Sequence, residues 1–161
     1  MCIRDRFFTN KRVVQETTFR DGAASVSYAT VEMAEDISSS FVNPKALIIG
    51  LGEMGVDVAK NFQNSDFTDI TLCNRTDERA EVLASELGYK TLSFSNLHEE
   101  LKNFDVIISS VKIDEFLVTK SEFPPSDVLS YKYMIDMGIP RSIDPSVEEI
   151  PGVVLYDIDQ I

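Results

Sequence analysis

The 161 residues include no tryptophan, one histidine and only two cysteines. Cys2 and Cys73 make neither a disulfide framework nor a zinc cluster, and they point to a reducing, cytoplasmic setting. With His98 as the lone imidazole, neither a histidine-based triad nor a histidine-rich metal site can be assembled, and His98 is expected on a solvated helix. Basic residues are scarce: 15 Lys and Arg stand against 27 Asp and Glu, giving a net charge of −12. That excludes a general nucleic-acid-binding surface, which needs clustered cations, but leaves room for one local basic site. No apolar run approaches the ~18 residues that cross a bilayer, no signal-peptide pattern opens the chain, and no membrane partner is expected. Repeats and low-complexity tracts are missing too. What remains, 43% hydrophobic and 26% charged residues, is ordinary for one globular domain with a real core and some appendages.

Glycine is also sparse, at seven residues, yet three of the seven fall within six positions. The apolar run Ala46-Leu47-Ile48-Ile49 breaks into Gly50-Leu51-Gly52-Glu53-Met54-Gly55, spaced G-x-G-x-x-G. A β-run before it and an amphipathic helix after it, with Met54, Val58, Ala59 and Phe62 facing the core, supply the setting that makes this spacing meaningful. Gly50 can turn tightly out of the strand, Gly52 leaves no side chain between backbone and a pyrophosphate, and Gly55 lets the helix pack on the sheet. The helix offers free N–H groups and the positive end of its dipole. The second β-run, Ile70-Thr71-Leu72-Cys73, leads into Asn74-Arg75-Thr76, with Asn74 lying 24 residues after Gly50. A fold that binds NAD usually places a carboxylate about 20 residues on, for the ribose 2′-hydroxyl. A guanidinium instead makes a charge-assisted bond to a 2′-phosphate, worth about 1.5–3 kcal/mol. NADPH is therefore expected over NADH, while Asp77 and Glu78 complement the N-terminus of the next helix.

Along the chain, 1–22 reads as the tail of something longer, extended from about Phe7 to Gly22, with 1–6 as an expression or assembly scar. Residues 23–43 read as a linker helix, capped by Ser25 and running to about Ser40. Its apolar face carries Val26, Met33, Ala34, Ile37 and Phe41, and Glu32, Glu35 and Asp36 lie opposite. From 44 to 161 strand-like and helical segments alternate. Strands are expected at 46–50, 70–74, 90–94, 105–110, 132–137 and 153–156. One helix should carry Ala80, Leu83, Ala84 and Leu87 and stop at Gly88, and a capping box of Asn96 and Glu99 should open a short helix ending near Asn103. Pro124-Pro125 interrupts the segment after the fourth strand. The alternation predicts an α/β fold, a Rossmann-type doubly wound parallel sheet in the order 3-2-1-4-5-6, with ligand over the carboxyl ends. The exits of the fourth and fifth strands, with Ser109, Ser110, Val111 and Gly138, should rim that crevice. Asp136, inside an apolar strand, needs a partner.

These residues together resemble the middle region of glutamyl-tRNA reductase. The matching stretches are Lys11-Arg12-Val13 with Glu16-Thr17, Ala24-Ser25-Val26-Ser27-Tyr28-Ala29, Gly50 to Gly55, and Asn74-Arg75-Thr76 with Arg79-Ala80 and Leu83-Ala84. Ile135-Asp136 with Pro140-Arg141 follow, and Val154-Leu155-Tyr156-Asp157-Ile158-Asp159 resembles the entry to that family's spinal helix. The likeness covers roughly residues 10 to 161 and departs at Val111-Lys112, where the family has smaller residues. It implies that this chain supplies the NADPH-binding part of an enzyme that reduces glutamyl-tRNA to glutamate-1-semialdehyde for tetrapyrrole synthesis. In that family a thiolate in the N-terminal domain forms a thioester and NADPH supplies hydride. The resemblance further implies that 1–22 is the tail end of an absent N-terminal catalytic domain, with glutamyl-tRNA as partner through that domain, a homodimer in the full protein, and glutamate-1-semialdehyde aminomutase as a further partner. The fragment alone is expected not to turn over.

Cys73-Asn74-Arg75-Thr76 also resembles that family's nucleophile motif. Its place at the end of a β-run instead assigns it to the loop facing the extra phosphate, so no catalytic residue is expected here. The cofactor-binding residues expected are Gly50, Leu51, Gly52, Glu53, Met54, Gly55, Asn74, Arg75, Thr76, Ser109, Ser110, Val111 and Gly138. Two alternatives stay open: an oxidoreductase like shikimate dehydrogenase or the hydroxyacid dehydrogenases, and a nucleotide-sensing module without chemistry.

Overall fold

The computed structural model describes residues 19–122 and 131–157. Six parallel strands form one sheet in the order β3-β2-β1-β4-β5-β6: β1 (Lys45–Ile49), β2 (Asp69–Cys73), β3 (Lys90–Thr91), β4 (Val106–Ser109), β5 (Lys132–Asp136) and β6 (Val153–Asp157). This is the order expected from the alternation. β1 lies at the centre, and Ala46, Leu47, Ile48 and Ile49 are all fully buried. An unbroken apolar run of this kind belongs to a strand covered on both faces. Ala46 and Ile48 point into one layer, Leu47 and Ile49 into the other. Each buried Leu or Ile contributes about 1.5–3 kcal/mol.

The first layer is helical: α1 (Phe19–Ile37), α2 (Glu53–Asn61) and α3 (Asp77–Leu87) bury Val31, Ala34, Val58, Ala59, Ala80, Leu83 and Ala84 against the sheet. Val26, Met33, Ile37 and Met54 pack at its margin, and Phe62 closes it edge-on against Phe67. Gly88 stops α3 in a left-handed conformation, its N–H donating to the Ala84 carbonyl at 2.7 Å. Among the described residues the second layer is thinner than a doubly wound sheet leads one to expect. It holds the single turn α4 (Leu97–Glu100), 3₁₀ turns at Leu101–Asn103 and Pro145–Glu149, and the segment around Leu117 and Val118.

Several boundaries differ from the sequence reading. α1 is described from Phe19, so 19–22 belong to the helix and Ser25 lies inside it rather than capping it. Gly22 inside it costs about 1 kcal/mol, too little to break a helix held by tertiary packing. At the other end α1 stops at Ile37 rather than Ser40, and the Ser38 hydroxyl back-bonds to the Ala34 carbonyl at 2.6 Å. β3 has two residues instead of five, because the chain turns at Ser93 and Phe94 onto the Asp77 carboxylate. Asn96 makes no capping bond through its side chain, so the Asn96–Glu99 capping box does not form. The expected tail and scar up to residue 18, Pro124-Pro125, and the entry to a spinal helix at 158–161 lie outside the described residues.

Candidate functional site

β1 ends where the Gly50 N–H donates to the Cys73 carbonyl at 2.9 Å, and Gly50 then turns at φ +89°. A side chain there would be strained, and its Cβ would lie 2.9 Å from Val111 Cγ2. Leu51 is buried, so only its backbone reaches the bend. Gly52 caps α2 with extended backbone and no side-chain hydrogen bond, and a Cβ on it would meet nothing within 4 Å. The start of α2 is thus open at Gly52, with Glu53 exposed and Met54 half-buried beside it. Gly55 is held most tightly: a Cβ would fall 1.9 Å from the Gly50 carbonyl oxygen and 2.8 Å from Ser110 Oγ. Alanine here would push α2 off the sheet.

Beyond β2, Asn74 ties two loops together. Its Oδ1 accepts from the Leu51 N–H at 3.0 Å and its Nδ2 donates to the Thr76 carbonyl at 3.3 Å. Arg75 next to it is exposed and makes no ion pair among the described residues. Thr76 precedes α3, whose first turn carries Asp77 and Glu78, as expected of acidic residues at a helix start. The Asp77 carboxylate has a second duty, accepting from the Phe94 N–H at 3.0 Å and from the Ser93 hydroxyl at 3.2 Å. A groove of about 460 Å³ runs between α2 and α3, lined by Val56, Thr76, Glu78, Arg79, Val82, Leu83 and Glu86. It lies on the helical flank rather than over the strand ends. Its two carboxylates outnumber its one guanidinium, which makes it a poor place for a phosphate. Arg79, on α3 at the groove edge, stands among the matching stretches of the sequence but was not expected in the cofactor site.

The exits of β4 and β5 come together over Gly50. Ser110 Oγ donates to the Gly50 carbonyl at 2.9 Å, and Val111 covers the bend. The backbone packs so closely that a Cβ on Gly138 would lie 2.7 Å from the Val111 carbonyl oxygen. Ser109 is fully buried, its hydroxyl 2.6 Å from that of Ser142. Asp136 has the partners its burial demands, and they are hydrogen-bond donors rather than a cation: the N–H groups of Gly138, Ser142 and Ile143, and the Ser142 hydroxyl. Sequence reasoning did not single out Ser142, because only the folded loop brings it back onto β5.

Cys73 is fully buried at the end of β2, and burial pushes its thiol up to about 12. A nucleophile needs the thiolate, so Cys73 is chemically inert in the fold. His98 is exposed on α4, and no group of three metal-ligating side chains forms among the described residues. No helix among them is long and apolar enough to cross a membrane.

Comparison with known proteins adds sequence to this geometry. The family model described as shikimate / quinate 5-dehydrogenase matches residues 32–161. A glutamyl-tRNA reductase of Cytophaga hutchinsonii is 53% identical over 156 residues, which take in 96% of this chain and 37% of that protein. The chain thus spans little more than a third of the length of the curated relatives it matches. The solved glutamyl-tRNA reductase from Methanopyrus kandleri superposes with a TM-score of 0.72 at 31% identity, covering 83% of this chain and 35% of that one. The nucleotide binding domain of glutamyl-tRNA reductase from Thermoplasma volcanium, at 22% identity and TM-score 0.61, shares the fold over 86% of both chains. The chain belongs to the shikimate / quinate 5-dehydrogenase family, and along nearly all of its length it is similar to glutamyl-tRNA reductases.

Proposed function

We propose that this chain is the NADPH-binding part of a glutamyl-tRNA reductase, a cytoplasmic enzyme that makes glutamate-1-semialdehyde for tetrapyrrole synthesis. The observation that carries the cofactor reading is the exposed Arg75 at the end of β2, without an ion pair among the described residues, beside a glycine bend with open space over Gly52. A 2′-phosphate would be held by the Arg75 guanidinium, with Thr76 beside it. The pyrophosphate would lie on the backbone of Gly50, Leu51, Gly52 and Glu53 and the first turn of α2 at Met54 and Gly55. Asn74 serves by fixing the bend to the Arg75 loop through Leu51 and Thr76. Ser110, Val111 and Gly138 form the rim for the nicotinamide half, and the buried Ser109 supports it from below.

When bound, NADPH supplies hydride; the residues of this chain orient it and keep water from one side of the ring. Glutamyl-tRNA reaches the reductase through its other domain, two copies pair in the full protein, and glutamate-1-semialdehyde aminomutase takes the product. Similarity to named reductases over 96% of the chain supports this pathway assignment.

Calorimetry with NADPH and NADH tests the cofactor. NADPH is expected to bind at least tenfold tighter, and Arg75→Ala to remove most of the difference. Equal affinities in the unsubstituted chain would refute the NADPH assignment. The family match favours a second reading, oxidation of shikimate with NADP. The chain is expected to show no such turnover; measurable turnover would replace the first reading.

A further inference from the structure

Asp136 ends β5 almost completely buried, at 1% exposure, and no lysine or arginine among the described residues pairs with it. Four donors surround its two oxygens. Oδ1 accepts from the Gly138 N–H at 3.0 Å and the Ser142 hydroxyl at 3.0 Å, while Oδ2 accepts from the Ser142 N–H at 2.9 Å and the Ile143 N–H at 2.8 Å. Hydroxyl directions follow. Ser142 spends its one proton on Asp136, so the 2.6 Å contact with Ser109 requires Ser109 to donate to Ser142. The chain Ser109 → Ser142 → Asp136 therefore runs along the floor beneath the β4 and β5 exits.

The carboxylate also anchors what lies above that floor. The Ser142 carbonyl accepts from the N–H groups of Leu117 and Val118 at 2.6 and 3.2 Å, and Met137 N–H donates to the Ser109 carbonyl at 2.7 Å. Gly138, held by Asp136, packs against the Val111 carbonyl, and Val111 in turn covers Gly50. One acidic group thus sets the positions of Gly138, Val111 and Ser109, on the half of the sheet where the second nucleotide of a dinucleotide lies. The Arg75 end hangs on Asn74, through Leu51 and Thr76 rather than through Asp136.

Resting on the dinucleotide reading above, we infer that Asp136 is a positioning residue for the nicotinamide half of the site and not for the adenosine half. In Asp136→Asn an amide NH₂ must face two of the four donors, so the rim shifts while the Arg75 end is left alone. NADPH and 2′,5′-ADP, which lacks the nicotinamide half, separate these effects by calorimetry. The variant is expected to bind 2′,5′-ADP within twofold of the unsubstituted chain and NADPH about tenfold more weakly. The fluorescence enhancement of the bound nicotinamide is expected to fall with it. Unchanged NADPH affinity overturns the inference, as does an equal loss for both ligands, which marks general loosening. Should Asp136→Asn not fold, Ser142→Ala keeps three of the four donors and is expected to show the same pattern at about threefold; no selective loss there overturns it equally. An unsubstituted chain that binds neither ligand refutes the dinucleotide reading itself, a result distinct from these.

Discussion

Cys73, Asn74 and Arg75 are consecutive in the chain and share no duty. The thiol of Cys73 is wrapped in the second apolar layer, Asn74 is stitched to the glycine bend, and Arg75 is exposed to solvent. Burial, with a smaller push from Asp77, raises Cys73 from 9.0 to about 12. Iodoacetamide at pH 8 should leave Cys73 unmodified in the folded chain and label it once urea unfolds the protein, read by peptide mass mapping; labelling without denaturant would contradict the burial. Because the unfolded thiol ionises first, this group subtracts stability only as pH rises from about 9 toward 12. Much of this was legible in advance: a cysteine closing an apolar β-run is expected to be inert. The duty of Asn74 was not, since its acceptor role depends on the Leu51 N–H coming within 3.0 Å across two loops.

The elements owe their ends to contacts of this kind more than to propensity. Lys132 opens β5 at 4% exposure, and its ammonium donates to the carbonyls of Lys102 and, at 2.8 Å, Phe104. A cation at the carbonyl end of the 3₁₀ turn after α4 fits the partial charge there. Burial pulls its pKa below the ordinary 10.5. The unfolded chain then holds more protons on this group than the folded one, so its contribution to stability improves as pH rises toward 10.5. Lys132→Met should strip the ammonium from the buried Phe104 carbonyl and the part-buried Lys102 carbonyl at a cost of about 2 kcal/mol, lowering Tm by roughly 4–8 °C. The gap to the unsubstituted chain should widen between neutral pH and 10.5; a variant of unchanged Tm would show that water replaces the ammonium. Lys132 reads in sequence as an ordinary charged strand start, and nothing in the sequence announces its burial. Gly88 was readable, because a helix end in the left-handed region asks for glycine regardless of what packs on it.

Taken as a whole, the molecule carries −12. The ion pairs Lys90–Asp69, Lys120–Glu149 and Arg141–Asp157 each leave one partner about half exposed or more, and such pairs contribute at most about 1 kcal/mol. Raising NaCl from 10 to 150 mM should therefore raise Tm by a few degrees through screening of self-repulsion, measured by calorimetric scans. A flat response would mean that the acidic groups are too dispersed to matter. The strand count, the order of strands across the sheet and the bend at Gly50 were all readable from period and glycine spacing, because backbone geometry and the burial of apolar runs act locally along the chain. Other features were not readable. These include the two-residue β3 and the Asp136–Ser142–Ser109 chain. Each depends on groups far apart in sequence meeting in space, where a hydrogen bond made or missed inside the protein outweighs any local preference.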